Sequence, residues 1–126
     1  MKRLAMLAIL ILAGSPGAAK RADPHHPGWM VGEWVWLNPG EHYAPADCGA
    51  DHNAIYHANG RYVFMDAAGR WRIDGDHLIE TMTSAGGTGD PADIGKPRVM
   101  RIARLGVGRL RVRARSSGTM VRCPAR

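Results

Sequence analysis

Arginine is the residue type whose spacing in this chain points most directly to chemistry. From residue 109 to residue 115 it occupies every second position, and Leu110, Val112 and Ala114 stand between. Such alternation predicts a half-buried β-strand with one charged face. The charged face predicts salt-dependent contact with an anionic partner; the alternative is a solvated face balanced by acidic residues on neighbouring strands. The arginines assigned to the predicted face are Arg101, Arg104, Arg109, Arg111, Arg113 and Arg115.

The aromatic residues form a second candidate group. All eight lie between Trp29 and Trp71, and one interpretation is that they are the large core residues of a small domain. The functional alternative is that some of them line a pocket for a small apolar or ring-shaped ligand. We assign that role to Tyr62, Phe64 and Trp71, because a predicted hairpin brings their strands together.

Sequence motifs of catalysis are absent. The chain has neither the G-x-S-x-G motif of hydrolases nor the H-E-x-x-H motif of zinc proteases. The glycine-rich segment 86–90 lacks the lysine and the following helix that a phosphate-binding loop needs. Asp74, Asp76 and Glu80 lie close in sequence, but the first two fall in a predicted turn, where aspartate is common. We therefore expect a non-catalytic protein that needs no cofactor.

The histidines do not form a metal-binding pattern. Although His52 and His57 could approach Asp47 or Asp51, their spacing matches no known ligand set. The methionines are scattered singly at strand positions, which favours core packing over copper binding. We expect no metal site.

The N-terminal region is typical of an export signal. Lys2 and Arg3 precede an apolar run over residues 4–13, and small residues at 17–19 suit cleavage by signal peptidase. The run is about half as long as the ~20 residues that a membrane-spanning helix needs. Removal of the signal over residues 1–19 predicts a periplasmic or secreted protein with no membrane span.

The two cysteines, Cys48 and Cys123, are separated by 74 residues. An oxidising compartment favours a disulfide between them. A crosslink of this span contributes about 4 kcal/mol in chain-entropy estimates, less any strain. A metal-thiolate or redox pair is the alternative, but the residues lack C-x-x-C spacing.

Turn residues divide the rest of the chain into short runs. Residues 20–29 are predicted to be a disordered leader before a single domain over residues 30–126. Asn59-Gly60 is a strong hairpin signal, and no helical repeat is sustained. Tight turns make neighbouring strands antiparallel, which predicts an all-β, up-and-down barrel of about eight short strands, with a two-sheet sandwich as the alternative. The predicted strands cover residues 30–37, 54–58, 61–66, 70–73, 77–84, 97–105, 109–115 and 119–123, with a turn at 67–69.

The first predicted strand contains Gly32-Glu33-Trp34, which resembles the G-x-W motif of lipocalin-like (calycin) barrels. The wider pattern is similar to small secreted bacterial proteins in its hairpin (Ile55, Gly60, Tyr62), Gly69-Arg70-Trp71, Gly75-Asp76 with Leu78, and Arg122-Cys123. The resemblance implies that Trp34 closes one end of the barrel and packs against Arg122 or Arg115. The chain is much shorter than a lipocalin, so the resemblance implies no roomy ligand cavity.

These observations predict a monomeric, secreted or periplasmic binding protein for a small apolar or ring-shaped ligand. The alternative is an envelope-interaction or inhibitor module that uses the arginine-rich outer face. Binding by that face weakens with ionic strength, whereas binding in an apolar pocket barely responds. The formal net charge of +6 does not indicate nucleic-acid binding, because export separates the protein from nucleic acid and no such motif is present.

Overall fold

A computed structural model of the protein describes residues 23–125, so the predicted signal over residues 1–19 lies outside the described residues. The strands form a closed antiparallel barrel in chain order, in which β1 also pairs with β8. The predicted eight-stranded up-and-down barrel is therefore confirmed, and the alternative of a two-sheet sandwich is wrong. The strands are β1 (Gly32–Leu37), β2 (Ala54–Tyr56), β3 (Arg61–Phe64), β4 (Ala67–Asp74), β5 (His77–Ser84), β6 (Pro97–Gly106), β7 (Arg109–Arg113) and β8 (Ser117–Arg122).

Helix is limited to three single-turn 3-10 segments within residues 23–125: Gly28–Met30, Pro45–Asp47 and Pro91–Asp93. None of the described helices has the length and apolar character to cross a membrane.

The barrel interior is filled by apolar side chains from all eight strands. Alternation along each strand decides which side chains enter it. In β7, for example, Leu110 and Val112 are buried while the arginines between them are exposed. The fully or nearly fully buried interior side chains include Trp34, Tyr56, Trp71, Leu78, Met100, Leu110, Val112 and Met120.

The turn predicted at residues 67–69 is wrong. Ala67 and Gly69 belong to β4, and Met65-Asp66 forms the two-residue connection from β3. A tight hairpin of this length needs a positive φ at its first residue, and Met65 has φ 55°. Methionine gives no sequence signal for that conformation, whereas the small residues that follow do resemble a turn. Gly69 is small because the Tyr62 ring and the β5 backbone lie close to it: a Cβ there would lie 2.5 Å from the ring of Tyr62.

Residues 23–31 cross one end of the barrel, and we call them the N-terminal plug. His26 Nε2 lies 2.8 Å from the Trp71 carbonyl on β4, and its Nδ1 lies 2.7 Å from the Asp23 carboxylate. The ring also meets the Trp71 indole edge-on. Met30 is fully buried in the core. Residues 23–29 of the predicted disordered leader thus belong to the plug. The contacts of the plug are with strands far away in the sequence.

A second, smaller cluster lies outside the barrel wall. Val35 and Val121 point outward from β1 and β8, and Tyr43 packs against them from the loop that follows β1. Cys48 in that loop forms a disulfide with Cys123, with Cα atoms 5.8 Å apart. The predicted disulfide is confirmed, and it ties the loop to the wall beside the junction of the first and last strands.

Candidate functional site

The outer face of β6 and β7 carries a basic groove of about 360 Å³, lined by Arg101, Arg111 and Arg113 together with Asp76. Arg101 and Arg113 are directly opposite each other across the two strands, and Ala103 is opposite Arg111. Because alternate residues share a face, Arg101, Arg111 and Arg113 all point away from the core. Because the side chain of Ala103 is small, the space between the guanidinium groups stays open.

One carboxylate faces this groove. Arg101 Nε donates a hydrogen bond to Asp76 Oδ2 at 3.0 Å, and this bond holds the pKa of the Asp76 carboxyl below its ordinary value. His77 Nδ1 lies 3.0 Å from the other oxygen of Asp76. Among residues 23–125, Arg101 is the arginine that forms an ion pair. The guanidinium groups of Arg111 and Arg113 are exposed and have no acidic partner in this part of the chain.

The remaining arginines of the predicted face do not all join the groove. Arg109 continues the exposed row along β7, and Arg115 lies in the bend after that strand. Arg104 pairs with Leu110, a core residue, so it is on the opposite side of β6 from Arg101. Its guanidinium carbon lies 4.5 Å from the centre of the Trp29 ring, a cation–π contact with the N-terminal plug.

The charge of the described chain is divided along the sequence. All eleven acidic residues lie between Asp23 and Asp93, a stretch that contains three arginines. We call residues 23–93, which include β1 to β5, the acidic half. Residues 94–125 carry nine lysine and arginine side chains and no acidic ones, and we call them the basic half.

The three aromatic residues predicted to bind a ligand lie at different depths. Tyr62 is buried in the interior, and burial together with the Glu80 carboxylate raises the pKa of its hydroxyl to about 12. Phe64 follows it on the same face of β3 and is 44% exposed near the unplugged end. Trp71 lies at the plugged end, where His26 covers it and its Nε1 donates to the His57 carbonyl at 2.9 Å. Tyr62 and Phe64 are therefore neighbours on one face, while Trp71 lies beyond them towards the plug.

A polar pair in the barrel interior was not singled out from the sequence. Tyr56 donates a hydrogen bond from its hydroxyl to Glu80 Oε2 at 2.7 Å, and Glu80 is 8% exposed. Burial raises the pKa of the Glu80 carboxyl, while the Tyr56 hydrogen bond and the charge of Arg98 act in the opposite direction. Arg98 is the cross-strand partner of Glu80 on β6.

A sequence signal for this pair did exist. Glu80 stands two residues after Leu78 and two before Met82, so it shares their face of β5. The signal is ambiguous because Ile79 makes the other face of the same strand partly apolar as well. Only the register with β4 and β6 decides which face is interior.

Trp34 and Arg122 are opposite each other on β1 and β8. Trp34 Nε1 donates to the Met30 carbonyl at 2.8 Å, and Arg122 donates to the carbonyls of Gly28 and Trp29 at 3.3 and 3.1 Å. Both side chains hold the N-terminal plug.

The histidines named as metal candidates lie on exposed turns. Within residues 23–125, no three histidine, cysteine or acidic side chains converge as metal ligands. His52 and His57 flank β2, at opposite ends of that strand.

Fold and surface together define a class: a small, disulfide-linked, eight-stranded antiparallel β-barrel with a basic outer groove. Searches with this chain against protein-family models, curated proteins and solved structures return no match.

Proposed function

We propose that this protein is an exported, non-catalytic binding module that uses its basic groove to hold an anionic component of the cell envelope. The observation that carries the proposal is the pair of exposed guanidinium groups of Arg111 and Arg113 in that groove, which have no acidic partner among residues 23–125. Guanidinium groups hold phosphate, sulfate or carboxylate groups through paired hydrogen bonds.

The charges of the groove are only partly balanced within the described residues. Arg101 and Arg113 are like charges directly opposite each other in a sheet, which destabilises the pairing. Asp76, from the acidic half, balances one of these two arginines. The basic half contains no acidic residue of its own. An anionic partner held in this groove supplies the missing charges and can contact several guanidinium groups at once.

Export supports the same proposal. The proposed signal over residues 1–19 sends the protein to the periplasm or beyond the cell. The Cys48–Cys123 disulfide is compatible with such an oxidising compartment. Anionic polymers and lipids are abundant there, whereas nucleic acid is not.

The test measures binding to soluble polyanions. Protein recovered from the periplasm after export is titrated with dextran sulfate and with polyglutamate at increasing salt. We expect binding that falls steeply with salt, and a loss of about tenfold or more in the variant R111E/R113E. The matched control is R61E/R70E, which reverses another exposed pair of facing arginines, on β3 and β4. Equal binding by both variants, or no binding by the unmodified protein, overturns the proposal.

A second candidate function is the binding of a small apolar or ring-shaped ligand at the unplugged end. Phe64 favours it, because a large aromatic side chain is 44% exposed directly beyond Tyr62. The buried Tyr56–Glu80 pair lies deeper in the same interior.

Native mass spectrometry of the exported protein tests this candidate. A reproducible non-covalent adduct that is lost in the variant Phe64→Ala supports it. Val99→Ser is the control, since Val99 is an exposed apolar residue on the outer wall. A bare mass, or an adduct that both variants keep, counts against the pocket.

A further inference from the structure

The hairpin between β6 and β7 ends in exposed apolar side chains. Val107 is 90% exposed and Leu105 is 47% exposed. Both lie at the tip, next to Gly106 and Gly108, whose positive φ values turn the chain. A single exposed apolar residue is common, but two at one protruding tip expose apolar surface where a polar turn would serve equally well for folding.

Further apolar side chains adjoin this tip. Val31 and Val107 line the same hollow of about 550 Å³ at the plugged end of the barrel. Trp29, which is half-buried, lies beneath the Arg104 guanidinium of β6. We call the four side chains Trp29, Val31, Leu105 and Val107 the hairpin-tip patch. Leu105 and Val107 are exposed, whereas Trp29 and Val31 are partly buried against the core. Exposed apolar side chains gathered in one region mark interaction sites.

Arginines surround the patch. Arg104 and Arg109 flank the tip, and the basic groove continues from it along the same two strands. Glu33 is the acidic residue that also lines the hollow, and its carboxylate accepts hydrogen bonds from the backbone amide of Gly49. The surface thus combines a small apolar tip with an array of guanidinium groups.

We infer that the hairpin-tip patch docks on an anionic lipid bilayer, with Leu105 and Val107 entering the interfacial region. In this arrangement Trp29 lies at headgroup depth, which suits an indole, and the arginines of the hairpin contact lipid phosphates. The inference rests on the proposed function, because it names a lipid surface as the anionic component. Neither the apolar tip nor the arginines contribute much affinity alone. Each arginine near an anionic surface raises the affinity by about fivefold.

The experiment is co-sedimentation of the exported protein with vesicles. One set contains phosphatidylglycerol and phosphatidylcholine, and the other contains phosphatidylcholine alone. Mass spectrometry first confirms that residues 1–19 have been removed, because a retained signal would itself enter vesicles. We expect binding to the anionic vesicles at low salt, loss at about 0.5 M salt, and little binding to neutral vesicles.

Two variants separate insertion from simple charge attraction. L105S/V107S should weaken binding to anionic vesicles by about tenfold, while leaving binding to dextran sulfate unchanged. I55S/V99S is the control, because it removes two exposed apolar side chains elsewhere on the barrel. Brominated lipid should quench part of the tryptophan emission, and Trp29→Phe should remove that quenching.

The outcomes distinguish this inference from the proposed function. Binding to dextran sulfate without binding to anionic vesicles overturns the lipid inference and leaves the proposed function standing. Anionic vesicle binding that L105S/V107S retains in full overturns insertion by the tip. Failure to bind either polyanion or vesicle overturns both proposals.

Discussion

The acidic half and the basic half use their charged side chains differently. In the acidic half, carboxylates hold the backbone of nearby loops. Glu33, Asp47 and Asp66 each accept hydrogen bonds from main-chain amides. In the basic half, Arg111 and Arg113 project from a regular strand and contact no acidic group of the described chain.

The difference teaches which charges belong to the fold. A carboxylate that accepts a backbone hydrogen bond shapes a loop, and its loss disturbs the structure. An exposed arginine on a strand contributes little to stability, because water and ions screen it. Carboxylates such as those of Glu33, Asp47 and Asp66 are therefore structural, whereas Arg111 and Arg113 are available for a partner, which is the basis of the proposed function.

The largest expected effect on stability comes from removing the disulfide that joins the two halves. Cys48 belongs to the acidic half and Cys123 to the basic half. The variant C48S/C123S should lose about 4 kcal/mol of unfolding free energy, because the unfolded chain regains the freedom of a long loop. Urea unfolding measures the loss, and reduction of the unmodified protein is the control. A change below about 1 kcal/mol would mean that strain in the folded state, or residual structure in the unfolded chain, offsets the entropic stabilisation by the crosslink.

The next effect concerns Glu80, a carboxylate of the acidic half that faces the interior. Because burial raises its pKa above the ordinary 4.5, the folded state holds this proton more tightly than the unfolded state. Its contribution to stability is therefore fully present below the ordinary value and is lost as pH rises through the raised one. The variant Glu80→Gln should not lose stability in this way. Its free energy of unfolding should exceed that of the unmodified protein by about 1–3 kcal/mol at neutral pH.

Unfolding free energies measured between about pH 4 and pH 8 check this expectation. Asp66 provides the opposite sign, because hydrogen bonds from Thr88 and Gly87 lower its pKa. Its stabilisation is present above the ordinary value and is lost as pH falls. A less stable Glu80→Gln variant at neutral pH would show that the ionised carboxylate is held favourably by Tyr56 and Arg98.

A smaller effect is expected from Asp76, the acidic residue that enters the basic groove. Asp76→Asn removes its charge and frees Arg101. Affinity for a soluble polyanion should rise by about fivefold at low salt, the effect of roughly one charge at the surface. Asp74→Asn is the control, since Asp74 is an exposed aspartate outside the groove. An equal rise in both variants would assign the effect to net charge and not to the groove.

The smallest expected effect concerns the turns of two hairpins, one in each half. The tip in the basic half turns on Gly106 and Gly108, whereas the β3–β4 turn in the acidic half has Met65 at φ 55°. Met65→Asn should raise the unfolding free energy by about 0.5–1 kcal/mol, because asparagine tolerates this conformation better. Gly108→Ala should lower it by a similar amount. Thermal unfolding checks both variants, and a destabilised Met65→Asn would mean that methionine packing outweighs its backbone strain.

Much of the fold could be predicted from local patterns. Residues 77–84 were expected to be a strand and are one over the same residues, because turn residues bound them on both sides. The Asn59-Gly60 hairpin lies between β2 and β3 as expected. The β3–β4 turn could not be predicted, since Gly69, which resembles a turn residue, is small for a tertiary reason, the ring of Tyr62 beside it.

The candidate site could be predicted in part. Alternation along β7 was sufficient to put Arg109, Arg111 and Arg113 on one exposed face. Arg104 was assigned to that face as well, but it lies three residues from Arg101 on β6 and points to the other side, as alternation along that strand requires. Trp71 was grouped with Tyr62 because a predicted hairpin brings their strands together, yet it lies under the N-terminal plug, whose contacts join residues more than forty positions apart.

The sequence by itself determined the all-β class, the hairpin order and the alternating arginine row, because these depend on a residue and its near neighbours. Only the tertiary structure decided how the barrel closes, that the plug covers one end, and that Glu80 lies inside beside Tyr56. The physical reason is that both faces of a strand such as β5 carry apolar residues. Which face becomes interior is settled by register and closure, which depend on contacts between distant strands.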